Sequence, residues 1–249
     1  PRIAADGRPA VRFDGNSIEV FDADGFLISR IATERGVDNV LDFDGRVLLY
    51  KMGDLAGGPD GRVRLAFLDG TLAHNPDLNL RVRSARLHAD GRTVAIVTWE
   101  HDLYLWNLPT GTVTGPLLPD VMTFGVHFEP GGSDRLLVVR ETEMEPSSVD
   151  ATVLDVRTLS MVPLPTLGRA YLARWTGPGT IVYGTDGPDR LAWQMNVDTG
   201  TDGVSVASVA GNATFNFSSA SSLFLTTNLV SVGDTIEFWS GSNFPTMPE

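Results

Sequence analysis

A chain of 249 residues, 42% hydrophobic and 20% charged, carries enough apolar material for a sizeable core, and no apolar run approaches the roughly 18 residues of a membrane span. A net charge of −12 argues against a general nucleic-acid binder, since phosphate recognition rests on clustered Lys and Arg. Cysteine is absent, which removes disulfides, thiolate nucleophiles and cysteine-built zinc sites, and leaves the compartment open with the cytoplasm slightly favoured.

Along the chain, period-two alternation dominates and no apolar helical stripe persists, so helix is expected to be scarce. Short apolar stretches end repeatedly in a large apolar residue followed by a small polar one. The steps are Phe21-Asp22, Trp106-Asn107, Leu154-Asp155, Met195-Asn196 and Trp239-Ser240, with a degenerate copy at Ala66-Phe67, at intervals of roughly 40 to 48 residues. A repeat of that length built only from strands is the signature of a β-propeller blade. The expected fold is all-β, a β-propeller of six four-stranded blades with five or seven as alternatives, filling residues 1–249 as one domain. Its start at Pro1 suggests an excised piece of a longer polypeptide or a processed product, and the expected parent is a larger bacterial polypeptide.

Taken in order, Pro9 to Ile31 offers strands around Val11-Arg12-Phe13, Ile18 to Phe21 and Phe26 to Ile31, with little room ahead of them for an inner strand. The degenerate step at Ala66-Phe67 marks the second blade. The third is the clearest: an inner strand Arg83 to His88, a turn Ala89-Asp90-Gly91-Arg92, a second strand Thr93 to Trp99, a third Asp102 to Leu108 and an outermost Thr112 to Leu118. Further blades are expected over Val121 to Leu164, Tyr171 to Val206 and Ala213 to Ser242, with a short, proline-broken outer strand at Phe244 to Glu249. Asp-Gly pairs such as Asp24-Gly25 and Asp90-Gly91 supply the positive φ that tight hairpin turns need.

The segments His88-Ala89-Asp90-Gly91-Arg92 and Leu105-Trp106-Asn107-Leu108-Pro109-Thr110-Gly111 resemble the WD40 repeat family, whose blades carry a "PDGR"-like turn and a "LWDL.TG"-like third strand. Thr114 to Leu118 is similar to the outer strands of WD40 arrays in large bacterial signalling proteins. The resemblance implies a WD40-like propeller of degenerate repeats. The chain departs from the family in lacking the Gly-His pair ahead of the inner strand and the Asp that partners it, so that hydrogen-bond network is not carried over. Quinoprotein-like and TolB-like propellers stay open.

Four histidines are present, and neither His101-Asp102 nor His127-Phe128-Glu129 shows the convergent ligands a metal needs. Asp22-Ala23-Asp24-Gly25 and Asp42-Phe43-Asp44-Gly45 begin like calcium loops but lack the later ligands, and read as hairpin turns. No nucleophile elbow, dinucleotide fingerprint or phosphate loop occurs, so no catalytic residue and no cofactor is expected. The five tryptophans, Trp99, Trp106, Trp175, Trp193 and Trp239, fall on expected strands and read as packing between blades. Arg62, Arg64, Arg81, Arg83 and Arg86 form one basic cluster, read as pairing with neighbouring Asp residues.

Loops joining second and third strands gather on one face of a propeller, and here they are acidic. The candidate binding rim is Asp54, Asp60, Asp102, Glu141, Glu143 and Glu145, with solvated turns as the plainer reading. The functional expectation is a monomeric, non-catalytic protein-interaction or sensing module whose partner is a protein, basic if the acidic rim is its site. The alternatives are a small-ligand or carbohydrate binder at the central channel, and a propeller hydrolase or lyase.

Overall fold

The computed structural model describes residues 10–14, 17–22, 24–33, 37–43, 47–52, 63–67, 80–141, 149–164, 170–185, 189–210, 213–217, 223–228 and 237–240. Among the described residues there is no helix, and the strands form six antiparallel sheets in which chain neighbours are hydrogen-bonded neighbours. The chain divides into two compact units, Pro1–Pro119 and Asp120–Glu249.

The first unit holds three sheets. β1 (Ala10–Asp14), β2 (Ser17–Phe21) and β3 (Leu27–Ala32) form one, and β4 (Val37–Phe43), β5 (Val47–Met52) and β6 (Val63–Phe67) the next. The third has four strands, β7 (Val82–Leu87), β8 (Thr93–Thr98), β9 (Leu103–Asn107) and β10 (Thr112–Leu118). The second unit holds β11 (Val121–Phe128), β12 (Arg135–Glu141), β13 (Val149–Asp155) and β14 (Met161–Pro163) as one sheet. Beside these in sequence come β15 (Ala170–Gly177), β16 (Thr180–Thr185), β17 (Asp189–Asn196) and β18 (Thr201–Ala210), then β19 (Ala213–Phe217), β20 (Leu223–Asn228) and β21 (Glu237–Ser240).

The repeated step has a physical cause. Each copy closes a strand, and at Trp106-Asn107, Leu154-Asp155 and Met195-Asn196 the two residues do opposite work. The apolar member is sunk into the core: Trp106 is 1% exposed, and Leu154 and Met195 are buried as deeply. The polar member caps the turn to the next strand by an Asx turn, the job for which a short Asp or Asn side chain is suited. Asn107 Oδ1 accepts from Thr110 N–H and Oγ1–H at 3.1 and 3.0 Å. Asp155 Oδ1 accepts from Arg157 and Thr158 N–H at 3.0 and 2.7 Å, and Asn196 Oδ1 from Asp198 and Thr199 N–H at 2.9 and 3.2 Å. Asp22 does the same for Asp24 and Phe26 at 3.0 and 2.8 Å.

Three of the six sheets have the expected four strands, and the other three have three among the described residues. In the β1–β3 sheet the step ends β2, the second strand, which matches the missing inner strand read from the sequence. The expected outer strand at Phe244 to Glu249 lies outside the described residues.

Apolar cores sit between consecutive sheets within each unit. Val47, Leu49, Val63 and Leu65 meet Val82, Ala85, Leu87, Val94, Ile96 and Trp106, while Leu137, Val139, Ala151 and Val153 meet Ala173, Trp175, Ile181, Tyr183 and Met195. β8 is buried along nearly its whole length, as a strand covered on both faces must be. Each fully buried Leu, Ile or Val contributes about 1.5–3 kcal/mol by removal from water. The indole N–H of Trp106 is enclosed without an acceptor among the described residues.

Candidate functional site

The second strand of the β7–β10 sheet ends one residue earlier than its sequence suggests. Thr98 closes it, and Trp99 opens a tight turn to β9. The turn is pinned by Thr98 N–H to Asp102 C=O at 3.0 Å, His101 N–H to Thr98 C=O at 3.1 Å, and Asp102 N–H to Thr98 Oγ1 at 3.3 Å. Trp99 N–H also reaches Arg81 C=O at 2.9 Å. Trp99 is therefore a rigidly mounted turn residue, and it is 42% exposed, where Trp106 and Trp175 are at 1% and 8%. That corrects its assignment to strand packing. The side chains of Trp193 and Trp239 lie outside the described residues.

Around Trp99 the chain assembles a cationic and aromatic cluster. The Arg83 guanidinium lies 5.1 Å from the centre of the Trp99 ring, and its Nη1 donates to His101 Nε2 at 2.7 Å. Arginine cannot accept, so Nε2 is the acceptor and His101 is the neutral tautomer protonated on Nδ1. His101 has φ 66°, in the left-handed region that few non-glycine residues enter, Asn, Asp and His more often than others. Arg81 Nη1 pairs with Glu100 at 3.1 Å, both half-exposed. Arg86 donates to the Leu41 carbonyl at 2.8 Å. Arg81, Arg83 and Arg86 of the basic cluster thus turn to the chain's own groups, with a Glu, a His and a carbonyl among their partners.

Of the six expected rim residues, two are described. Asp102 is half-buried in this turn of the first unit, and Glu141 is exposed at the end of β12 in the second, its N–H bonded to Asp120 C=O at 2.9 Å. Asp54, Asp60, Glu143 and Glu145 lie outside the described residues. The turn that carries Asp102 is of mixed character, with Trp99 and His101 beside the acid.

The second unit contains a polar node that sequence reading missed. Glu129 follows β11 and its side chain is 1% exposed. Its carboxylate accepts from Arg135 Nε at 2.7 Å and from Arg135 Nη2, Ser133 Oγ and the Gly179 N–H of the next sheet. Arg135 also donates to Asp198 and lies 5.5 Å from the Trp175 ring centre. Burial alone would raise the Glu129 pKa, but these donors outweigh it and hold the carboxyl below the ordinary glutamate range; Glu129, then Asp198, raise Arg135. Trp175 Nε1 donates to the His127 carbonyl at 2.8 Å, and His127 itself is buried and takes a hydrogen bond from Arg174. Among the described residues no three His, Asp or Glu side chains meet as metal ligands.

No family model and no curated protein matches the chain. Solved structures do. A β-propeller domain of Cps50 (Swd1) from Myceliophteria thermophila superposes at a TM-score of 0.60 over 99% of this chain and 89% of that one, at 14% identity. The crystal structure of a eukaryotic initiation factor superposes at 0.59 over 93% of this chain, at 15% identity. This chain spans 60% of that factor's length. At such identities the likeness concerns fold, and the fold is a β-propeller.

Proposed function

We propose that this chain is a non-catalytic protein-interaction module whose partner docks on the loops joining second and third strands. The carrying observation is Trp99, a large amphipathic side chain held in the open on a pinned turn, the residue type and setting of an interface anchor. The propeller fold supports the reading by supplying a rigid scaffold for such loops. In this proposal the acidic residues Asp54, Asp60, Asp102, Glu141, Glu143 and Glu145 form a charged rim that speeds encounter with a partner carrying basic groups.

A photo-crosslinking side chain placed at position 99, and separately at exposed position 157, tests the site in the source cell. Discrete protein adducts from position 99 and none from 157 are expected. No adduct, or the same adducts from both positions, overturns the reading. With a partner in hand, changing Glu141, Glu143 and Glu145 together to Lys should slow association at low salt and flatten its salt dependence, leaving thermal stability nearly unchanged. An unaltered association rate would reduce the rim to solvated surface.

A further inference from the structure

The two arginine–tryptophan stacks among the described residues differ in one respect that points to a ligand. In the second unit Arg135 lies over Trp175 and donates to two carboxylates, Glu129 and Asp198. In the first unit Arg83 lies over Trp99 at the surface, and the group it donates to is the neutral imidazole of His101. Among the described residues no carboxylate meets Arg83. The nearby Glu100 is engaged by Arg81 at 3.1 Å.

We propose that the Arg83–Trp99 stack is a docking point for an acidic peptide segment, in which a partner's Asp or Glu carboxylate meets the guanidinium and an adjoining apolar side chain covers the indole. The inference rests on the interaction reading above and adds what the partner brings to this turn.

Three features support that chemistry. The guanidinium is held in place before any ligand arrives, by the ring on one side and His101 at Nη1, which leaves its Nε and Nη2 edge as a fork suited to a carboxylate. Fixing a rotamer-rich side chain in advance removes much of the ordering penalty of binding. His101 holds a left-handed backbone at φ 66°, an uncommon conformation for a non-glycine residue, and its imidazole meets Arg83. Finally, in the second unit the chain itself completes an arginine–tryptophan stack with carboxylates, so the exposed stack accepts from a partner what Arg135 receives internally.

The test uses the full chain labelled with nitrogen-15 and three short amidated peptides, alike except for paired Asp–Phe, Asn–Phe or Lys–Phe steps. The readout is the indole N–H resonance of Trp99, assigned by its loss in Trp99→Phe. The Asp–Phe peptide should shift that resonance saturably, and the Asn–Phe and Lys–Phe peptides should bind about tenfold more weakly or not at all. Arg83→Gln should weaken the Asp–Phe peptide by about tenfold while the other indole resonances stay in place. Arg83→Lys, which keeps the charge but loses the planar fork, should fall between the two and serves if the Gln variant is unstable. An unmoved Trp99 resonance, equal shifts from the three peptides, or unchanged affinity in a folded Arg83→Gln variant overturns the proposal. If adducts still form from position 99 while the peptide leaves Trp99 silent, the acidic-segment site fails and the interaction reading stands; loss of both overturns both.

Discussion

The β7–β8 and β11–β12 hairpins each bury an ionisable side chain at the same place, directly after the first strand of a four-stranded sheet. His88 N–H bonds the Thr93 carbonyl at 2.8 Å, and Glu129 N–H bonds the Arg135 carbonyl at 2.9 Å, so the two positions correspond in register. Their side chains are buried to a similar degree. His88 Nδ1 lies 2.9 Å from Asp90 Oδ1, two residues away in its own turn. Glu129 gathers Arg135 and Ser133 from its own hairpin and Gly179 from the next sheet, and through Arg135 it reaches Asp198. A buried carboxylate has more acceptor sites than one turn has donors to offer, so it recruits from its neighbour and ties two sheets together. The same repeat position therefore carries a carboxylate that links two sheets in one case and an imidazole that meets its own turn in the other.

The comparison is broken most severely by removing the link. Glu129→Ala should destabilise the chain by about 3–5 kcal/mol, because Arg135 and the Gly179 N–H are then left without their buried partner. His88→Ala should lose about 1–3 kcal/mol, the range for breaking the hydrogen bonding of a buried polar group. Chemical unfolding of the two variants measures both. If His88→Ala proves as damaging as Glu129→Ala, the distinction between link and local turn is wrong.

The pH dependence of stability follows from the direction of the Glu129 shift. Its folded pKa is depressed, so its contribution is fully present above the ordinary glutamate pKa of about 4.3 and is lost as pH falls through that range toward the lower folded value. Wild type should therefore lose stability between roughly pH 5 and 3 more steeply than Glu129→Gln, which carries no titrating carboxyl there. Asp90 is also held low, with burial opposing and the Arg92 N–H and His88 prevailing, so Asp90→Asn should flatten the same limb. Its carboxylate is more exposed, and the flattening should be smaller. Parallel curves for wild type and Glu129→Gln would show that the carboxyl titrates alike in the folded and unfolded chain, with no depression on folding.

What could be read from the sequence follows the range of the interaction. The step Trp106-Asn107 was legible because its core residue and its turn cap are adjacent, and the cap's donors lie within three residues. The strands of the β7–β10 sheet were legible for the same reason, to within about a residue at their ends. Trp99 was misread as a strand residue because alternation runs up to Thr98 without a Gly or Pro to mark the stop; the left-handed turn is carried by His101, a residue type that does not advertise it. Glu129 was seen only as the end of an inner strand. Its decisive partners, Gly179 and Asp198, lie in the next sheet, and no local pattern encodes them.

The smallest expected effect separates the two sheets at their shared turn cap. Asn107 and Asp155 do the same job in the β7–β10 and β11–β14 sheets, one neutral and one ionised. The Thr158 N–H, ahead of a small opposing effect of burial, holds the Asp155 carboxyl below its ordinary range, so the charge itself strengthens this cap. Asp155→Asn keeps the acceptor and loses the charge, and should cost about 0.5–1 kcal/mol at pH 7. Because the depressed carboxyl gives up its contribution as pH falls through the aspartate range, the difference from wild type should shrink toward zero near pH 3. Asn107→Ala, which removes an uncharged acceptor, should show a loss of similar size that does not change between pH 7 and pH 3. A difference for Asp155→Asn that stays constant across that interval would mean that the cap works by shape and hydrogen bonding alone, with the charge idle.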